Sequence, residues 1–311
     1  MKSLPVIVIV LAVAGCATAV LASRSAAGPP AAPPPCPQRW GGEAPGGWVP
    51  GPSGVAGAGG SLVPGDPVSA LICAYPGDNT HPGGTRLAGS RSLTEGAVAM
   101  ARDLDYLPAA GKTPLGPCTL MGGPMTNYLV RFVYDDGKVL WLGSAEEVNS
   151  CVTTTNGAVS SPSYIGPEIT AAYESGTWRP VRPADPCQGR PTGRRGQNKQ
   201  MVPEGAVSVL ACGQSDRPDA PAVRREHDAE TAESLTRALN SLGTRPGDNT
   251  CRRISDLRER PFQLRFRYPD GPAAIVDVMP GCVPMVNNGL LQADADDTVR
   301  ELTKAASPYA R

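Results

Sequence analysis

Eight cysteines are the residues best placed to do chemistry. They are Cys36, Cys73, Cys118 and Cys151 in the first half of the chain and Cys187, Cys212, Cys251 and Cys282 in the second, with Cys16 apart near the start. Four plus four is the parity of disulfides formed outside the cytosol, and no C-x-x-C pair is present for metal or redox work. Other reactive groups are sparse. His81 and His227 stand in unlike surroundings, Asn79-Thr80-His81-Pro82 and Arg225-Glu226-His227-Asp228, and read as surface histidines. No G-x-S-x-G elbow occurs. The carboxylate pairs Asp135-Asp136, Glu146-Glu147 and Asp296-Asp297 fall on a turn, a strand flank and a helix face rather than facing each other across a cleft. Asp294-x-Asp296-Asp297 lacks the Gly and Glu of a calcium loop and suits a helix N-terminus. Catalysis, metal and cofactor are therefore not expected.

The elements that position the cysteines come twice. In Cys251 to Gly289, Leu264, Phe266 and Tyr268 alternate with Gln263, Arg265 and Arg267, the two-residue period of a half-buried strand. Pro269-Asp270-Gly271 makes a turn and Ala274 to Met279 runs back. Phe132, Tyr134, Asp136 and Gly137 precede Phe266, Tyr268, Asp270 and Gly271 by 134 residues, within Cys118 to Gly157. Arg131 and Arg265 also match and read as outward strand positions. Upstream, Val63-Pro64 and a strand ending at Cys73 recur as Val202-Pro203 and a strand ending at Cys212. Ser92-x-x-Glu95 has the form of a capping box, and Ala97, Met100, Leu104 and Leu107 recur at helical spacing. The same apolar stripe returns 135 residues later as Ala232, Leu235, Leu239 and Leu242. Asn156-Gly157 and Asn288-Gly289 follow the hairpins as tight turns, and weaker helical segments, 167–174 and 293–306, close each copy.

This order predicts an α+β protein of two tandem homologous β-α-β-β-α domains, each an antiparallel sheet with a helix on one face and two disulfides. The expected divisions are an N-terminal segment 1–24, a Pro/Gly/Ala-rich linker 25–60 carrying Trp40 and Trp48, and domains 61–178 and 179–311. Docking of the tryptophans, helped by a Cys36 disulfide, is the expected role of that pair. A hairpin brings its ends together, so Cys118–Cys151 and Cys251–Cys282 are expected, leaving Cys36–Cys73 and Cys187–Cys212. Four cysteines per domain allow three connectivities. Pro-Gly-Asp-Asn-Thr at 76–80 and 246–250 occupies non-equivalent places and reads as coincidence.

Leu4 to Ala22 is an uncharged apolar run of nineteen residues behind Lys2. It reads as a membrane anchor with the bulk of the chain outside. Val13-Ala14-Gly15-Cys16 also resembles a bacterial lipobox, which makes Cys16 a lipidation candidate, and cleavage would leave a secreted protein. All three place the functional part outside the cytoplasm, at its membrane face unless cleaved. The expected partner is an extracellular protein or cell-wall component. Charge balances at 29 basic against 29 acidic residues, and the basic junction Arg179, Arg182, Arg190, Arg194, Arg195 and Lys199 has no interleaved aromatics. Nucleic acid is not expected, and a solvated linker is the default for the junction.

The run of strand, Cys, helix, Cys, Asp-Gly hairpin, Cys and Asn-Gly resembles a recurring uncharacterised domain of exported proteins in high-GC Gram-positive bacteria. Part of it also resembles the subtilisin-inhibitor-like proteins of those bacteria. Carried over residue by residue, that family's specificity position falls on Leu120 in Cys118-Thr119-Leu120 and on Arg253 in Cys251-Arg252-Arg253, and Pro124 also fits. No Cys lies on either helix, and the loops to the hairpin turn are longer. The expected function is non-catalytic binding in the cell envelope, with a double-headed serine protease inhibitor as the alternative.

Overall fold

The alternation read in the second hairpin decides where that sheet is buried. Phe262, Leu264 and Phe266 face the core, while Gln263, Arg265 and Arg267 are only partly covered. In the equivalent first-half strand the run Leu129-Val130-Arg131-Phe132-Val133 is almost continuously buried. A strand reads as an unbroken apolar run when both of its faces are covered.

The computed structural model describes residues 33–111, 121–179, 185–188, 192–215, 217, 220–248, 250–253 and 260–310. The first half runs β1 (Ser69–Asp78), β2 (Gly89–Ser92), α1 (Ala97–Asp105), β3 (Pro124–Val133), β4 (Val139–Glu147), β5 (Thr154–Thr155), β6 (Ser160–Ser161) and α2 (Gly166–Ser175). The second runs β7 (Ser208–Gly213), β8 (Val223–His227), α3 (Ala229–Ser241), β9 (Arg245–Pro246), β10 (Arg252–Arg253), β11 (Phe262–Arg267), β12 (Ala274–Val278), β13 (Cys282–Val283), β14 (Val286–Asn287), β15 (Leu291–Ala293) and α4 (Asp297–Ala306). The two sheets have strand orders β2-β1-β3-β4-β5-β6 and β8-β7-β11-β12-β14-β15-β9, with β10 and β13 paired separately. Among the described residues, every strand pairing within these sheets is antiparallel. The expected β-α-β-β-α run thus gains an outer strand beside β1 and β7 and short strands beyond β4 and β12. These are too short, or too exposed on β2 and β8, to show a periodic pattern in sequence.

Each sheet buries one face under its helices. Met100, Leu104, Ile169 and Ala172 meet Ile72, Phe132 and Leu142 in the first half. Leu235, Leu239 and Val299 meet Val209, Phe266 and Val276 in the second. Two helix starts differ from expectation. Ser92 and Glu95 do not cap α1: Ser92 ends β2, and Glu95 bridges to Thr177. The helix instead starts after Gly96, which has φ +92° and lies so close to Trp178 that a Cβ would stand 3.1 Å from that side chain. The last helix begins at Asp297 rather than 293, because Leu291–Ala293 pairs as β15. Its cap is Asp296, which accepts from the Val299 N–H at 2.8 Å, the role its position beside Asp294 and Asp297 suggested.

Two side-chain devices appear in both halves. The Tyr134 hydroxyl donates to Pro64 O and the Tyr268 hydroxyl to Pro203 O, at 2.7 and 2.5 Å. The Asn156 amide donates to Ala58 O, Ser61 O and Leu62 O, while its oxygen accepts from the Ala158 and Val159 N–H groups. Asn288 repeats this with Gln197 O, Gln200 O and Met201 O and with the Leu290 and Leu291 N–H groups. The Asn-Gly pairs therefore hold the segment that leads into each sheet as well as making a turn. Stripping one such amide strands several polar groups, at about 1–3 kcal/mol where they are buried. Asn156→Ala is expected to lower the urea midpoint more than Asn288→Ala, because Asn156 is fully buried and Asn288 partly exposed.

Two expectations about linkers are corrected. From Pro33 the chain does not stand off as a spacer; it packs on the outer face of the first sheet, with Trp40 buried. Arg194 of the basic junction is not a solvated charge either. Its guanidinium lies 4.8 Å from the Tyr106 ring and 3.9 Å from the Tyr268 ring, and it donates to Asp270 O and Pro272 O. Its neighbour Arg195 pairs with Asp105 at 2.6 Å. Delocalised, weakly hydrated guanidinium suits such a sandwich, which ties residues of both halves to the connecting segment. Arg182 and Arg190 lie outside the described residues.

Candidate functional site

The outer faces of the two sheets are equivalent by register and opposite in content. In the first, Cys73 faces Leu129 and Leu129 faces Gly143; in the second, Cys212 faces Gln263 and Gln263 faces Asp277. Leu129 thus corresponds to Gln263, and Gly143 to Asp277, each 134 residues on.

The first face is filled by the arm that precedes its sheet. Cys36 is bonded to Cys73, and the Tyr75 hydroxyl donates to Pro37 O at 2.8 Å. Trp40 stacks edge-on to Trp48 with centroids 5.2 Å apart and lies 5.8 Å from the Tyr75 ring. The Gly46 N–H donates to the buried Asn127 side chain at 2.8 Å. Residues 46 to 48 pass directly over Gly143, where a Cβ would stand 2.6 Å from Gly46 O and 2.3 Å from Trp48 O. Only glycine admits that approach. Trp40 and Trp48 dock as the sequence suggested.

Among the described residues, the second arm meets its face at the edge, through residues 186 and 187. Cys187 is bonded to Cys212, and Arg265 donates to Pro186 O and to Cys187 O. Arg131 does the same for the first arm at Pro33 O and Pro34 O. The two matched arginines therefore clamp arms rather than pointing into solvent. Beyond the clamp, a cleft of about 530 Å³ opens, lined by the Cys187–Cys212 bridge, Phe262, Gln263, Asp277 and Met279. Its floor is a relay: Arg265 Nη2 donates to Gln263 Oε1 at 3.1 Å, and Gln263 Nε2 donates to Asp277 Oδ1 at 2.9 Å. Burial raises the Asp277 carboxyl above its ordinary range, partly offset by Gln263 and the Arg265 charge. Chemically this presents a hydrogen-bond acceptor at the base of a cleft with apolar walls.

The loops singled out by sequence lie elsewhere. Leu120 and Cys118 fall outside the described residues. Just beyond them, Asn149 accepts from the Met121 N–H and donates to Met121 O, both near 3.0 Å, and Asn79 spans Met121 O and the Gly123 N–H. Cys151, at the far side of this hairpin, is disulfide-bonded. Buried Glu147 accepts from the Asn149 and Cys151 N–H groups, so this acidic residue braces a turn. Arg253 is exposed on β10, paired with Cys282, and Cys251–Cys282 closes the same corner. The Pro-Gly-Asp-Asn-Thr copies build one and the same turn: Asp78 and Asp248 each accept from the backbone N–H and hydroxyl of the threonine two residues on. Those hydrogen bonds hold both carboxyls below the usual range, Asp248 to about 2.

His81 is exposed in a loop and His227 reaches Ala306 O from the end of β8, so the two are not equivalent. Among the described residues no three His, Cys, Asp or Glu side chains converge as a metal site requires, and no helix is long and apolar enough to cross a membrane. Leu4 to Ala22 and Cys16 lie outside the described residues. Comparison with protein-family models, with curated proteins and with solved structures finds no match to this chain.

Gln263 and Asp277 were not singled out by motif. The signal that finds them is a difference between the repeats, a leucine and a glycine replaced by two polar residues at equal offset.

Proposed function

We propose that the chain is a non-catalytic binding protein of the cell envelope, carried on the extracytoplasmic side by its N-terminal segment and built from two homologous domains, 61–178 and 179–311. The duplicated Tyr, Asn and Arg devices support the homology, and the disulfides support an oxidising compartment. One observation carries the binding reading: the outer face that is plugged by its own arm in the first half is a cleft with a half-buried carboxylate in the second. The test is retention of the purified oxidised protein on envelope fragments of the producing cell. Saturable retention that is lost on filling the cleft with Ala222→Trp, in a variant that still melts cooperatively, is the expected result. Equal retention of wild type and variant would sink it.

A second reading, a serine protease inhibitor, is favoured by the bracing of Met121 and Gly123 through Asn79 and Asn149. Anchoring the residues that follow a loop lowers the entropy the loop loses on entering a partner. It predicts stoichiometric loss of subtilisin-like or trypsin-like activity, abolished by Leu120→Gly or Arg253→Ala respectively.

A further inference from the structure

We infer that the second-half cleft binds a short stretch of polypeptide from a partner, its backbone laid over Gln263 and Asp277 as residues 46–48 of this chain lie over Leu129 and Gly143. The inference rests on the binding reading and deepens it by naming the ligand class. Its first support is internal. One sheet face of this protein already accepts a passing backbone segment, with a side-chain oxygen, that of Asn127, taking a backbone N–H at 2.8 Å. The clamp that brings an arm to that face, arginine plus disulfide, is present in both halves. What differs is the floor.

In the second half Asp277 stands where Gly143 lets Trp48 O approach, so a ligand there must turn a donor, not a carbonyl, toward the floor. Gln263 has its amide on Asp277 and its oxygen on Arg265, and the clamp takes up further Arg265 donors. The carboxylate of Asp277 is then the acceptor the cleft offers. One anion and one cation on the floor balance, which suits an uncharged peptide N–H better than an ammonium or a carboxylate. The walls, a disulfide and Met279, offer apolar surface to ligand side chains beside that contact.

The probes are a random-sequence peptide library displayed on phage, and envelope fragments shaved either with a protease or with a muramidase. Peptides selected by the full-length oxidised protein are expected to lose at least tenfold in affinity with Asp277→Asn and all measurable binding with Ala222→Trp. Protease shaving is expected to abolish retention on envelope fragments and muramidase to spare it. Asp277→Asn should also raise the melting temperature at pH 7 and leave it unchanged at pH 2. Burial favours the protonated carboxyl, so stability tied to this group is present at low pH and is lost as pH rises through its raised value. Cleft-dependent retention that survives the protease and falls to muramidase would overturn the peptide ligand while leaving the binding reading intact. Retention that ignores the cleft altogether would remove both.

Discussion

Trp40→Ala is expected to cost about 3–5 kcal/mol, the range for emptying a large aromatic site in a core. The residue is 1% exposed although it lies in a stretch whose composition reads as linker. It packs against Trp48 and Tyr75 and over the Cys36–Cys73 bridge, so truncation removes the centre of the layer that covers the first sheet. Its indole Nε1 is buried without a hydrogen-bond partner. Trp40→Phe therefore deletes an unsatisfied donor along with some volume, and about 1–2 kcal/mol is expected for it. Urea unfolding of both variants checks this. A Trp40→Ala loss below about 1 kcal/mol would mean that the arm is not part of the fold.

The second large effect is reduction. The three described bridges span 37, 25 and 31 residues. In the chain-entropy model each restrains the unfolded chain by about 3.5 kcal/mol, together about 10. That equals the whole stability of an ordinary protein of this kind, about 5–15 kcal/mol. Thermal melts with and without a strong reductant are expected to show a cooperative transition only for the oxidised form. A reduced protein that still melts cooperatively above 40 °C would show that the two cores suffice without the bridges.

Much of this was legible in the chain because duplication doubles every signal. The stripes Met100/Leu104 and Leu235/Leu239 both proved to be helix faces on their sheets, and the Asp-Gly hairpins formed with the expected strands. The capping box failed for a physical reason: Ser92 is still in an edge strand when its motif asks it to start a helix, and tertiary contact with Trp178 sets the start at Gly96. Arg194 was misjudged because its partners, Tyr106 and Tyr268, are 88 and 74 residues away, beyond any local pattern. The cleft was hidden for a different reason. Its floor is set by Gln263 and Asp277 where the first half has Leu129 and Gly143, and one strand read by itself does not show that difference.

The pairing of the cysteines has a bearing on how such a chain matures. Cys36 joins Cys73, Cys187 joins Cys212 and Cys251 joins Cys282, and each of these partners is the next cysteine along the chain. In a chain exported N-terminus first, as proposed above, Cys36, Cys187 and Cys251 each meet their partner as the next cysteine to emerge. Thiol–disulfide exchange takes seconds to hours when wrong pairs must be undone. On that proposal the order of arrival and the order of bonding coincide for these three bridges, which favours native pairing without reshuffling.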